Sequence, residues 1–371
     1  MIYGGAVPTI TPGYAGFLNG QTATVLTAQP ICSTTATVAS PVGTYPSSCL
    51  GAAALNYTIS YLPGIVTVSK AASTTTILSN LPSPAIIGQI VTVNFGVIPQ
   101  FSGVPTGSVK VTASTGETCT SALTAGVGSC TLTFFTGGSR TLTAAYSGDT
   151  NFIASTSAAK TQVVSNVSLS TFSLLFGDQL VGTRSSAQTV TLSNVGTTPL
   201  TITSINWSAG FSDSSNCGTT LNAGRSCRIN VSFVPTTLGV ITGRLTITDS
   251  DVTSPQIVTL TGTGVQPAAS LSPTSYNFGT VTRRTTSAPF AFTLSNPGTA
   301  VLAINSISLG GANPGQFLQS NNCGTSLAIG ATCTINVTFA PTGRGALTAT
   351  LRVSDNAPGS PQTATLSGTG Q

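Results

Sequence analysis

The sequence predicts an all-β chain folded as four tandem β-sandwiches, and three observations carry that reading. Apolar residues recur with a period of two, a long stretch of sequence repeats at a fixed offset, and the cysteines fall into one local pair per stretch of chain. The alternation is clearest where Ile229, Val231 and Phe233 interleave with Arg228, Asn230 and Ser232, and where Ile335, Val337 and Phe339 interleave with Thr334, Asn336 and Thr338. β-branched and aromatic residues in alternation, cut by Gly, Pro and Asn every 8–12 positions, describe half-buried antiparallel strands. No long stretch has helical period with caps.

The repeat sets the organisation. The run from Asn216 (Asn-Cys-Gly-Thr-Thr-Leu, then Cys227-Arg-Ile-Asn-Val-Ser-Phe233) returns from Asn322 (Asn-Cys-Gly-Thr-Ser-Leu, then Cys333-Thr-Ile-Asn-Val-Thr-Phe339), 106 positions later. Leu260-Thr-Gly-Thr-Gly264 returns as Leu366-Ser-Gly-Thr-Gly370 at the same offset, whereas Phe176-Gly177 and Phe278-Gly279 lie 102 apart. Two homologous modules therefore occupy 166–265 and 266–371. The first 165 residues divide after Ile65-Val-Thr-Val68, giving modules at 1–70 and 71–165. The connections are short and carry no Gly/Ser or Pro-rich spacer, so little bending between neighbours and a semi-rigid rod are expected.

Composition removes much of enzymology. Only 5% of the 371 residues are charged, with 12 Lys+Arg, 7 Asp+Glu and no His, while Ser and Thr make up about 30%, against roughly 25% charged residues in an average soluble protein. Without His there is no Ser/His or Cys/His couple and no imidazole metal ligand. The scattered acids leave little for paired-carboxylate chemistry. No enzyme activity, cofactor or metal is expected. The net charge of +5 comes with no basic run longer than Arg283-Arg284, so no concentrated nucleic-acid-binding face is expected. No apolar run approaches the length of a membrane span, and the chain opens without the charged and apolar regions of a signal peptide.

The eight cysteines are Cys32, Cys49, Cys119, Cys130, Cys217, Cys227, Cys323 and Cys333. Their even number, regular placement and lack of C-x-x-C spacing read as four local disulfides, Cys32–Cys49, Cys119–Cys130, Cys217–Cys227 and Cys323–Cys333. Eight buried thiols are the alternative. Disulfides imply an oxidising compartment, hence an extracellular, secreted or cell-surface protein. Since such a protein needs an export signal, residues 1–371 are expected to be a segment of a longer secreted chain.

Several motifs resemble known families. Tyr14-Ala-Gly-Phe-Leu-Asn-Gly20, Val42-Gly-Thr-Tyr45, Asn56-Tyr-Thr58 and Ile65-Val-Thr-Val68 resemble the MBG family of bacterial Ig-like repeats. Val104-Pro-Thr-Gly-Ser-Val109 with Tyr146-Ser-Gly-Asp-Thr-Asn-Phe152 is similar to a second class of bacterial Ig-like repeat. The last two modules resemble ASH-like, "choice-of-anchor D" Ig-like domains, through Phe-Gly near the start, Leu-Ser-Asn (Leu192–Asn194, Leu294–Asn296), Phe-x-Pro (Phe233–Pro235, Phe339–Pro341) and the closing Gly-Thr-Gly. The resemblance covers nearly the whole chain and implies immunoglobulin-like sandwiches throughout. It also implies a leading strand before Tyr3-Gly4, most of which this sequence lacks. The first sandwich is therefore expected to be completed by upstream sequence or by a strand shared from another copy.

Each candidate site has a plainer reading. Asp249-Ser-Asp251 is the one close acidic pair and a candidate calcium contributor, but its counterpart Ser354-Asp-Asn356 keeps one acid, which favours an Asx turn. Asp149 is expected to serve a similar turn. Trp207, the single Trp, could stack on a sugar or belong to a core or module interface. Arg283-Arg284 could meet an acidic partner or guard an exposed strand edge. With few titrating groups, stability is expected to be nearly flat across the acid range. The function expected is an extracellular structural one, a segment of a surface fibre, sheath or stalk. Its partners would be further copies in a polymer or other surface proteins, with Ser and Thr as candidate carriers of glycans. The alternatives are the stalk of an adhesin whose binding domain lies elsewhere, or an accessory region of a secreted enzyme.

Overall fold

In the computed structural model, which describes residues 1–371, strands pair within four successive stretches of chain. The last two stretches share one plan. In residues 167–265, one sheet holds the strands Val167–Leu169, Gln188–Asn194, Ser226–Phe233 and Phe211–Ser215 in spatial order. The facing sheet holds Ser173–Leu180, Gln256–Val265, Gly239–Asp249, Leu200–Trp207 and Thr220–Leu221. Residues 270–370 repeat both sheets strand for strand. In each case the early strand runs parallel to the last one, Ser173–Leu180 beside Gln256–Val265 and Ser275–Val281 beside Gln362–Gly370.

The repeated motifs are the parts that hold this plan together. Alternation places Ile229, Val231 and Phe233, and likewise Ile335, Val337 and Phe339, wholly inside the two cores. The Phe-Gly pair is a bulge in the parallel ladder, between Leu175 and Asp178 and again between Asn277 and Thr280. It packs Phe176 against Phe211 and Phe233, and Phe278 against Phe317 and Phe339. In Leu-Ser-Asn the asparagine is buried and organises a turn. Asn194 Nδ2 donates to the carbonyls of Thr198 and Leu221 at 2.8 and 2.9 Å, and Asn296 Nδ2 to those of Ala300 and Leu327 at 2.9 and 3.1 Å. A buried amide with these partners costs little, whereas an unpaired one would cost several kcal/mol.

Residues 73–165, the second stretch, also form a sandwich. A sheet of Ser73–Leu81, Ile90–Pro99 and Val127–Thr133 faces a larger one built on Lys160–Ser165, Gly138–Tyr146 and Ser108–Ala113. Its core buries Val91, Val93, Phe95, Phe134, Leu142 and Tyr146. Gly138–Tyr146 also points Arg140 inward, on the same face as the buried Leu142 and Ala144. Its guanidinium lies over Phe134 at 4.6 Å, reaches Glu117 at 3.7 Å and donates to the Thr136 carbonyl at 2.5 Å.

The first stretch differs from the other three. It has one three-stranded sheet, Ile31–Thr34, Gly43–Leu50 and Gly64–Val68, and none of its residues belongs to the three core clusters. Residues 5–30 carry a single 3-10 turn, Ala23–Val25, and no strand. Proline at 8, 12 and 30 and glycine at 13, 16 and 20 explain this, because they remove ladder donors and favour turns. At its start, Met1–Tyr3 runs beside the last strand: the Ser69 N–H donates to the Met1 carbonyl and the Tyr3 N–H to the Ser69 carbonyl, each at 2.9 Å. Ile2 and Ser69 form a parallel bridge. This is the pairing direction of the early strands in the other sandwiches, reduced to three residues.

Candidate functional site: the inter-module joints

The polar side chains that are most completely engaged lie where successive stretches meet. At the joint of the first and second stretches, the Tyr146–Phe152 motif forms a socket around Asp149. The Asp149 carboxylate accepts the Thr106 N–H and hydroxyl on one oxygen and the Asn151 and Phe152 N–H groups on the other, all at 2.8 Å. Burial alone would raise this carboxyl, but the four donors outweigh burial and hold it below the ordinary aspartate value. The ordered turn then reaches across the joint. Asn151 Oδ1 accepts the Val42 N–H at 3.1 Å, its carbonyl accepts the Ala71 N–H at 2.9 Å, and Phe152 meets Tyr3 edge-on with ring centres 5.3 Å apart. Lys70 Nζ donates to the Asp149 carbonyl at 2.5 Å.

The second joint is built on Asp251, which is 7% exposed. One oxygen accepts the Asn166 N–H and Nδ2 at 2.8 and 3.1 Å; the other accepts the Ser165 hydroxyl at 2.8 Å and the Thr253 N–H and hydroxyl at 3.0 and 2.6 Å. Ser165 is the last residue of the preceding sandwich's final strand, so this carboxylate ties the connection to the following sandwich. Burial pushes Asp251 up, and these donors bring it below its usual value. Asn166 sits against Gly137 on one side and Gly196 on the other, so close that a Cβ on either glycine would lie 2.2 and 2.6 Å from its side chain.

The third joint has no acid. At the position of Asp251 the fourth stretch has Ala357, buried, and the connecting residues are Gln266-Pro-Ala268. Backbone bonds remain: the Thr299 N–H donates to the Gln266 carbonyl at 2.9 Å and the Gln266 N–H to the Thr299 hydroxyl at 3.0 Å. Gly298, like Gly196 before it, lies flat on the connection. Beside this joint an open cleft of about 450 Å³ is lined by Leu180 and Val265 on one side and Ala300, Val301 and Ile329 on the other.

The candidates raised by sequence fall into place around these joints. Asp249 and Asp251 are neighbours, and the Asp251 N–H donates to Asp249 Oδ1 at 2.8 Å in an Asx turn. The oxygens of Asp251 are occupied by protein donors, and the Asp249 carboxyl is pushed up by burial and by the Asp251 charge. Trp207 ends the strand Leu200–Trp207, is 45% exposed and takes no part in a core. Arg283-Arg284 guards no strand edge: both lie in the turn after Ser275–Val281, because the chain must leave the parallel ladder there. The cysteine sulfurs are bonded as Cys32–Cys49, Cys119–Cys130, Cys217–Cys227 and Cys323–Cys333. Sequence reasoning gave no role to Asn166 or Arg140. Asn166 had a signal only in its place between two alternating segments, and Arg140 in its register with Leu142 and Ala144.

A family model matches most of each of the four stretches. An MBG domain (YGX type) matches residues 1–67, and a bacterial Ig-like domain (group 3) matches 78–165. The ASPM-SPD-2-Hydin domain matches 161–257, and a HYDIN/CFA65/VesB-like Ig-like domain matches 267–369. The chain is a tandem array of Ig-like modules. Solved structures overlap the array only in part. A Porphyromonas gingivalis protein of unknown function is 15% identical, with 55% of this chain and 99% of that chain covered and a TM-score of 0.25. The Vibrio cholerae VesB protease is 19% identical over 26% of the array and 32% of that chain, with a TM-score of 0.22. The ASH/PapD-like domain of human CEP192 is 19% identical over 28% of the array and 84% of that chain, also at 0.22. The search of curated proteins gave no match. No helix of the array is long and apolar enough to cross a membrane.

Proposed function

We infer that the array is a structural spacer of an extracellular fibre, sheath or stalk, without catalytic activity of its own. The observation that carries this reading is the pair of polar joints. Asn151, placed by Asp149, connects the first module to the second, and Asp251 with Asn166 connects the second to the third. A spacer needs its modules held at set angles, and directed hydrogen bonds, those to the buried Asp251 carboxylate above all, resist bending better than an apolar contact that can slide. Four disulfides fit an oxidising compartment. The scarcity of charge fits burial between subunits, since hydroxyl-rich faces can be covered without desolvating ions.

Association of copies would use the first module. Its strand Ile31–Thr34 pairs on one side only, with Gly43–Leu50, and residues 1–69 carry no Asp, Glu, Lys or Arg to guard that edge. Electron microscopy of the native assembly tests the function. An ordered filament of repeated copies supports a fibre subunit. Isolated projections on a cell surface would replace it with the second reading, the stalk of an adhesin.

A further inference from the structure

The two homologous modules differ at one pole. In the third module that pole consists of the turn after Ser173–Leu180 and the turn before Gly239–Asp249, and it carries Val181, Gly182 and Leu238. Backbone bonds fix the equivalence with the fourth module. The Val181 N–H donates to the Val265 carbonyl and the Gly182 N–H to the Pro235 carbonyl, at 3.0 and 2.9 Å. The Arg283 N–H donates to the Gln371 carbonyl and the Arg284 N–H to the Pro341 carbonyl, at 2.9 and 2.8 Å. Arg283 and Arg284 thus stand where the third module has Val181 and Gly182, and Arg344 stands where it has Leu238. Three positions on one pole have become arginine.

Two of these arginines serve no visible packing role. Arg284 and Arg344 are exposed. Arg284 holds a left-handed backbone, φ +64°, at the place where Gly182 has φ +80°, a conformation that glycine takes far more readily than any residue with a Cβ. The Arg283 Nε is buried and has no acceptor. No acid answers them: residues 266–371 contain four Arg and one acid, Asp355, at the far end of the strand that begins at Gly345, roughly 30 Å away at the rise of a β-strand. The one ion pair of the whole chain joins Arg140 and Glu117.

We propose that this pole of the fourth module binds an anionic polysaccharide. Guanidinium groups present paired donors that match carboxylate and sulfate oxygens. The residues around them are Thr282, Thr285, Thr342 and small glycines. A protein partner would be expected to seat an aromatic or large apolar anchor here, and a bilayer an apolar wedge, and the pole has neither. A flexible polymer of repeated negative charge needs only the guanidinium trio. The first 69 residues, by contrast, carry no charged side chain.

The test uses the full chain against alginate, dextran sulfate, uncharged dextran and vesicles containing phosphatidylglycerol. The variant Arg283→Val, Arg284→Gly, Arg344→Leu installs the third module's residues at the pole. The control Arg225→Ala, Arg228→Thr, Arg244→Thr installs the fourth module's residues in the third, removing the same charge elsewhere. Expected are binding of alginate or dextran sulfate that weakens with salt, at least a tenfold loss in the pole variant, and little loss in the control, with both variants melting as the wild type does. Arg344→Leu alone, in an exposed turn, should lose at least threefold. The proposal is overturned by binding to neither charged polymer, by equal loss in both triple variants, by equal binding to uncharged dextran, or by tighter binding to the vesicles.

Discussion

At the scale of single residues, the few acids of this chain act on stability in opposite directions. Asp149 and Asp251 have lowered carboxyls in the folded state, so each adds stability above the unfolded value of about 3.9 and loses it as pH falls through its folded value. Asp213 and Asp249 are raised by burial, so ionising them costs stability at neutral pH, and that cost is relieved as pH falls through their folded values toward about 4. The two trends predict a melting temperature that is level or slightly rising from pH 7 to about 4.5 and falls below about pH 3.5, where Asp149 and Asp251 take up protons. A calorimetric series across this range checks it, and a steep fall between pH 7 and 5 would contradict it. Asp251→Ala leaves the Ser165, Asn166 and Thr253 donors unanswered in a buried place and should cost about 3 kcal/mol, read as a lower denaturation midpoint of the third module.

At the scale of elements, the joints depend on close approach as much as on hydrogen bonds. Gly196→Ala would press a methyl into Asn166, and Gly298→Ala into the backbone of Gln266-Pro-Ala268, at separations that a Cβ atom does not adopt without a shift of its neighbours. Each should destabilise by about 1–3 kcal/mol, with raised amide exchange confined to the adjoining connection. Removing the Cys217–Cys227 bridge by a double Ser substitution should cost about 3 kcal/mol of third-module stability in the chain-entropy model, measured by denaturant unfolding. Most of this was legible in sequence. Alternation at Ile229, Val231 and Phe233 fixed which face is core, and the 106-residue offset fixed equivalent places. The joints were not legible, because Asp251 and Ser165 lie 86 positions apart and meet only once the third sandwich has closed. The thin first module also escaped, since the resemblance of its motifs implied a whole sandwich although Pro and Gly in residues 5–30 deny that stretch a ladder.

At the scale of the whole molecule, the first joint is bonded by Asn151, in a turn that the Asp149 carboxylate orders, the second through the Asp251 carboxylate itself, and the third by bonds of Gln266 to Thr299 beside an open cleft. Motion is therefore expected to concentrate between the third and fourth modules, with the first three moving as one body. Small-angle X-ray scattering of the full chain, beside Asp149→Ala/Asp251→Ala, tests this most directly. Expected are a wild type whose scattering fits one rigid body of three modules with a single hinge before the fourth, and a broader distribution with a smaller radius of gyration for the double variant at a pH and temperature where both remain folded. A wild type that already scatters as a broad ensemble, unchanged by the two substitutions, would contradict it.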